Sequence, residues 1–218
     1  MDSRTFPDLD PGLRRRLEQL AEEGWELWAR FDRDVRAHRW HSFVPAEYAR
    51  VLEALLPLRA PGRRFLEWGS AAGVITIMAD LLGFDACGIE LDAELVRMAE
   101  ELARRYGSGA RFVAGSFLPA GYVYHAKDGD TRLGTVGQGV SGYLELGRPL
   151  DDFDVVYGYP WAGEDGLMRD LMRRYGSPDA CLLLHRVSGE VELFRRGRRI
   201  GGADDAPGGD AGAPRLHR

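Results

Sequence analysis

The stretch Phe65-Leu66-Glu67-Trp68-Gly69-Ser70-Ala71-Ala72-Gly73 runs from an apolar strand into a turn of small residues, and from there into an apolar helix. Without bulky Cβ groups such a turn lets the backbone approach a ligand closely, and the helix behind it offers free N–H groups. A pyrophosphate cradle would want glycines at the first, third and sixth positions of the turn. Counted from Gly69 the sixth position is Val74, and the glycine falls one residue earlier at Gly73, so the spacing argues against a dinucleotide. Seventeen residues beyond Gly73, Glu90 closes the run Ala86-Cys87-Gly88-Ile89-Glu90 and puts a carboxylate at the C-terminal end of the next strand. A carboxylate there can accept both hydroxyls of a ribose, which points to an adenosine-containing ligand with Ile89 and Leu91 beside the base.

Together these residues resemble the first motif of class I (Rossmann-like) S-adenosylmethionine-dependent methyltransferases, acidic-x-Gly-x-Gly-x-Gly. Glu67 stands in the acidic place, Gly69 and Gly73 match, and Ala71 replaces the middle glycine. The resemblance implies that Glu67 serves the amino-acid end of S-adenosylmethionine and that the turn lies against its methionine and ribose. Alanine at 71 allows that approach only with a negative φ. Many members carry an Asp beside the adenine amino group, where this chain has Ser116; a hydroxyl can accept the same hydrogen bond more weakly, and Phe117 would cover the base. Tyr157-Gly158-Tyr159-Pro160-Trp161 resembles the family's fourth motif in position and aromatic character, without the Asn or Asp that binds an amine. The reaction so implied is methyl transfer from a sulfonium to an unidentified acceptor, a small molecule or a protein side chain, in a pocket walled by Tyr157, Tyr159, Pro160 and Trp161. Two other classes stay open: a non-catalytic adenosine-binding or scaffold protein of the same fold, and an NAD-dependent oxidoreductase, which Val74 disfavours.

Other features carry less. Gly137-Gln138-Gly139-Val140-Ser141-Gly142 fits G-x-G-x-x-G but follows a polar, turn-rich segment instead of a strand. His38 and His41 are spaced like ligands on a helix face, yet no further cluster completes a site, so no metal is expected. His185 is read as a partly buried histidine bonded to backbone in preference to a general base.

The elements that must position these groups follow from periodicity. Leu13, Leu17, Leu20, Trp28, Phe31 and Val35 predict an amphipathic helix; a second opens near Pro45 and carries Tyr48, Val51, Leu52, Leu55 and Leu56. From Arg64 onward short apolar runs alternate with helical segments, the pattern of a parallel sheet with crossover helices. Strands are expected at 64–67, 85–90, 110–114, 153–157 and 180–185, with helices at 72–82, 93–106 and 164–175, and a further short strand at 190–194. The fold class predicted is α/β: a three-layer sandwich with a mostly parallel Rossmann-like sheet, preceded by two N-terminal helices. No length remains for a late crossover helix, which puts a full seven-stranded sheet in question. The chain divides into a helical segment (1–62) packing on the core, a Rossmann-like domain (63–200) with an insertion at 118–150, and a disordered tail (201–218) rich in Gly, Ala, Asp and Pro. A mobile lid is expected over 122–142.

A net charge of −5 removes the general attraction for phosphate backbones that a nucleic-acid binder uses; the runs Arg14-Arg15-Arg16 and Arg195-Arg196-Gly197-Arg198-Arg199 read as solvated faces. The two cysteines lie in apolar runs and imply no disulfide framework. No secretory signal is recognised at the N-terminus, and the longest apolar stretch, Ala71–Ala79, falls short of the ~20 residues that span a bilayer. A cytoplasmic protein with no membrane partner is expected, and the N-terminal helices could offer a homodimer surface.

Overall fold

The computed structural model describes residues 9–36, 38, 41–123, 139–161 and 163–200. Residues 124–138 of the insertion, and with them most of the expected lid, lie outside the described residues, as does the tail. Helix α1 spans Pro11–Phe31. Its start is fixed by Asp10, whose Oδ1 accepts from the N–H groups of Gly12 (2.9 Å) and Leu13 (3.0 Å), and by Pro11 in the first turn. Helix α2 spans Tyr48–Leu55, so Pro45 falls in an extended linker ahead of it and not at its opening. The apolar faces of both helices, Leu17, Leu20, Leu27 and Phe31 on one and Val51, Leu52 and Leu55 on the other, are buried within the chain.

Seven strands, β1 (Arg64–Trp68), β2 (Asp85–Glu90), β3 (Arg111–Ala114), β4 (Val155–Gly158), β5 (Cys181–His185), β6 (Val191–Arg195) and β7 (Arg198–Ile200), form one sheet in the order β3-β2-β1-β4-β5-β6-β7. The first five in that order run parallel, and β6 and β7 are antiparallel. Parallel neighbours need helical crossovers, here α3 (Val74–Leu81), α4 (Ala93–Arg105) and α6 (Asp165–Tyr175), with a short α5 (Gly142–Leu146) near the end of the insertion. Antiparallel neighbours need only tight turns. That is how seven strands fit without a late helix: β6 and β7 are joined by Arg196 (φ 50°) and Gly197 (φ 74°), both in the left-handed region that a two-residue hairpin turn requires. The arginine run therefore flanks that turn, and β7 is an exposed edge whose charges discourage pairing with other chains.

Side chains alternate across the sheet. Phe65, Val155, Tyr157 and Leu183 face one layer with α1, α2, α3 and α4, while Leu66, Trp68, Val156 and Leu184 face α5 and α6. This is the expected three-layer sandwich.

At the crossover from β1 to α3 the N–H groups of Gly69 and Ser70 both donate to the Ile89 carbonyl, at 2.9 and 3.1 Å, tying the turn to β2. Gly73 has φ 79°, and a Cβ on it would lie 2.7 Å from the Ala99 Cβ and from the Phe112 ring. Ala71 also adopts a positive φ, 46°, so the negative φ set as the condition for its close approach is not met. Alanine pays about 1–2 kcal/mol for that conformation. Replacing Gly73 by Ala should therefore cost roughly 2–4 kcal/mol, from backbone strain plus overpacking. Ala71→Gly should be neutral or stabilising by up to about 1 kcal/mol. Urea unfolding of the two variants checks the pair, and equal losses would refute this account of the turn.

Candidate active site

The cleft lies beyond the C-terminal ends of β1, β2, β4 and β5, where open α/β sheets place their ligands. Its floor is the turn after β1 and the start of α3, lined by Gly69, Ser70, Ala71, Ala72, Val74 and Ile75. Glu67 and Glu90 supply its acidic groups, and Tyr157, Tyr159, Pro160 and Trp161 form one end. A smaller cavity continues from Gly69 and Glu90 to Ile89, Leu91, Gly115 and Phe117. The two share His41, Ser42, Gly69 and Glu90.

Glu90 is held from two sides. Its Oε2 accepts from the Ala71 N–H at 2.8 Å and its Oε1 from the Asp92 N–H at 3.0 Å, so the left-handed Ala71 gains a charge-assisted bond. Burial pushes the Glu90 carboxyl above its ordinary pKa, against those backbone donors and nearby His41. Glu67 is buried and serves as a cap for α3: one oxygen accepts from both the N–H (2.9 Å) and the hydroxyl (2.5 Å) of Thr76. Burial raises its pKa from 4.5 to about 8; the Thr76 bonds oppose the rise and the charge of Glu90 adds to it.

The aromatic end is built around His185. This histidine, expected to bond backbone, instead pairs its Nδ1 with the Tyr157 hydroxyl at 2.8 Å and stacks on Tyr159 with ring centroids 4.6 Å apart. It closes β5, which is paired on both sides by β4 and β6, so a side chain is the partner left within reach. It is 1% exposed, and burial lowers its pKa to about 4, leaving a neutral imidazole. Trp161 is half-buried at the cleft; its N–H donates to Glu164 at 2.9 Å while the Glu164 N–H returns to the Trp161 carbonyl at 2.9 Å, fixing the start of α6.

No family model matches the chain. By sequence it is 31% identical over 128 residues to the ribosomal protein L11 methyltransferase of Thermus thermophilus. The chain is similar to a methyltransferase. The match covers 47% of this chain and 50% of that protein, so the chain spans about half the length of its curated relative. Solved structures similar to it include an RNA methyltransferase from Salinibacter ruber in complex with S-adenosyl-L-homocysteine (19% identity, 65% of this chain and 76% of that one, TM-score 0.46). Another is an S-adenosylmethionine-dependent methyltransferase from Thiobacillus denitrificans with the same compound (22% identity, 71% and 53%, TM-score 0.42).

Of the residues singled out in the sequence, Glu67, Gly69, Ala71, Glu90, Tyr157, Tyr159, Pro160 and Trp161 meet in the main cleft, and Leu91 and Phe117 line its continuation. Phe117 stacks on Trp68 with centroids 5.4 Å apart. Two candidates line neither cavity. Gly73 turns its Cα toward α4 and β3, so its smallness serves packing. Ser116 is 2% exposed and its hydroxyl accepts from the Leu118 N–H at 3.1 Å, a local turn bond. Sequence reasoning missed the linker ahead of α2, where His41, Ser42, Phe43, Val44, Pro45 and Ala46 form a wall of the cleft. Its only signal was a pair of histidines, 38 and 41, which suggested metal spacing.

The raised carboxyl of Glu67 fixes a pH dependence. The folded state holds a proton there that the unfolded state releases, so this contribution is intact below pH 4.5 and is lost as pH rises to about 8. Glu67→Gln keeps a carbonyl for Thr76 without the charge. It should match the wild type near pH 4.5 and exceed its stability by roughly 2–4 kcal/mol at pH 9. Denaturant unfolding at both pH values checks this; a constant difference between the proteins would remove Glu67 as the cause.

Proposed function

We propose that the chain is an S-adenosylmethionine-dependent methyltransferase, with the cofactor in the cleft between the β1–α3 turn and Phe117 and the acceptor entering past Tyr159 and Trp161. The observation that carries this reading is Glu90: a half-buried carboxylate at the end of β2, bracketed by two backbone donors and facing a cleft that the turn after β1 lines with small residues. The acceptors in the lining fit the cofactor's charge. The lining includes Glu67, Glu90 and Asp92 and, among the described residues, neither Lys nor Arg. Ribose hydroxyls, an ammonium and a sulfonium suit such acceptors, whereas a dinucleotide's pyrophosphate would be repelled.

When bound, S-adenosylmethionine supplies an electrophilic methyl group on a positively charged sulfur. The chain's part is to orient and to exclude water. On this reading Glu90 takes the ribose hydroxyls, Glu67 stands toward the amino-acid end, and Leu91 and Phe117 flank the adenine. Tyr157, Tyr159, Pro160 and Trp161 hold the acceptor. Neutral His185, bonded to Tyr157 and stacked on Tyr159, holds these two rings in place. The acceptor is a small molecule or a protein side chain, and the similarity to a ribosomal protein methyltransferase supports including proteins in a search for it.

Calorimetry should detect S-adenosylhomocysteine and not NAD, and Glu90→Ala should weaken the former by roughly 1–3 kcal/mol. Undiminished affinity in a folded Glu90→Ala protein would take Glu90 out of the site, and preferential NAD binding would overturn the reading. Trp161→Ala should leave S-adenosylhomocysteine affinity nearly intact while lowering transfer to acceptors found by labelled-methyl screening, on the order of a hundredfold. A loss of roughly 3–5 kcal/mol of stability instead would make Trp161 a core anchor.

A further inference from the structure

His41 and Ser42 belong to the linker ahead of α2, yet they stand with Gly69 and Glu90 on the border shared by both cavities. The linker is pinned there by a short chain of hydrogen bonds whose directions can be read. The backbone N–H of Phe43 donates to His41 Nδ1 at 3.0 Å, so Nδ1 carries no proton. The ring proton is therefore on Nε2, which faces Asp92 Oδ2 at 3.2 Å. Asp92 Oδ1 accepts from the Glu94 N–H at 2.8 Å, capping α4, and the Asp92 backbone N–H donates to Glu90 Oε1. One residue thus fixes both the linker and the carboxylate at the end of β2. The other side of the imidazole is set by rings: His41 packs edge-on against Phe31 at 4.8 Å, and Phe31 against Phe43 at 5.3 Å. The contact is mostly shielded from water, with side chains 15% and 23% exposed.

We infer that His41 is a positioning residue of the cofactor site: with Asp92 it clasps the linker across the cleft beside Glu90, and an adenosine ligand leaves when that clasp opens. The inference rests on the reading of the cleft as a cofactor site. A linker tied only by its aromatic contacts would swing aside more often, and Glu90 would lose part of the constraint on its orientation. The effect belongs to ligand release more than to capture, because contacts within one site act mainly on the dissociation rate.

The test is the dissociation rate of S-adenosylhomocysteine from the full chain, measured by displacement in a stopped-flow instrument. His41→Phe removes both ring hydrogen bonds and keeps an aromatic ring against Phe31. Asp92→Asn keeps an acceptor for the Glu94 N–H and leaves the backbone donor to Glu90. Each should speed release on the order of tenfold, with the association rate changed much less. The double variant should be no faster than the faster single, since both break one contact. His41→Gln, whose amide nitrogen can reach Asp92, should recover part of the slow release. Unchanged release in the folded single variants, or effects that multiply in the double, would overturn the clasp. Failure of the wild-type protein to bind S-adenosylhomocysteine would overturn the cofactor reading itself, a different result from binding with unaltered release.

Discussion

Two acidic side chains at the ends of neighbouring parallel strands, Glu67 buried and Glu90 half-buried, constrain what surrounds them. Glu67 stands one residue before the end of β1 and Glu90 ends β2; burial raises the pKa of each, so each must find donors or give up its charge. The donors come from the loops those strands run into. Glu67 takes the N–H and hydroxyl of Thr76 in the first turn of α3, and Glu90 takes the N–H groups of Ala71 and Asp92. Satisfying these acids therefore sets where α3 starts, why the chain accepts a left-handed alanine, and how β2 turns into α4. The open cleft is the space those loops leave between them.

The far end of the cleft is governed by burial without charge. Burial pushes the Tyr157 hydroxyl well above its ordinary pKa and the His185 imidazole well below its own, so each stays neutral and they share a hydrogen bond. Tyr159 stacks on the imidazole, and the reciprocal bonds between Trp161 and Glu164 fix the chain beyond Pro160. The result is an acidic end and a neutral aromatic end, both rigidly supported. Reaction geometry needs such an arrangement if a charged ligand is to be held while a second molecule is oriented against it.

The parallel half of the sheet was legible because each strand is a short apolar run followed by an amphipathic segment, and that alternation has few other solutions. The cleft residues Glu67, Gly69 and Glu90 were legible because strand ends can be counted along the chain. What escaped was set by tertiary contacts. Gly73 looked like part of a ligand turn, but its requirement comes from Ala99 and Phe112, far along the sequence. The linker from His41 to Ala46 has no periodicity and no motif, and it gains a role only because α1 and α2 pack beside α3 and leave it crossing the strand ends. The edge hairpin was hidden by composition: an arginine run has low strand propensity on its face, yet Arg196-Gly197 adopts the turn and pairing to β6 supplies the rest.

Charge decides which ligand this arrangement favours. The charge of Glu90 adds to the cost of ionising Glu67, and among the described residues lining the two cavities no lysine or arginine offsets it. A ligand bringing positive charge relieves that cost and can draw Glu67 into its ionised form. A neutral ligand leaves it, and an anionic one adds to it. A cleft built this way should hold a sulfonium compound more firmly than the neutral thioether left after its methyl group has gone. On the proposed reading, the same two acids that organise the loops would favour capture of the charged cofactor and ease departure of its spent form, with the linker at His41 setting how quickly that departure occurs.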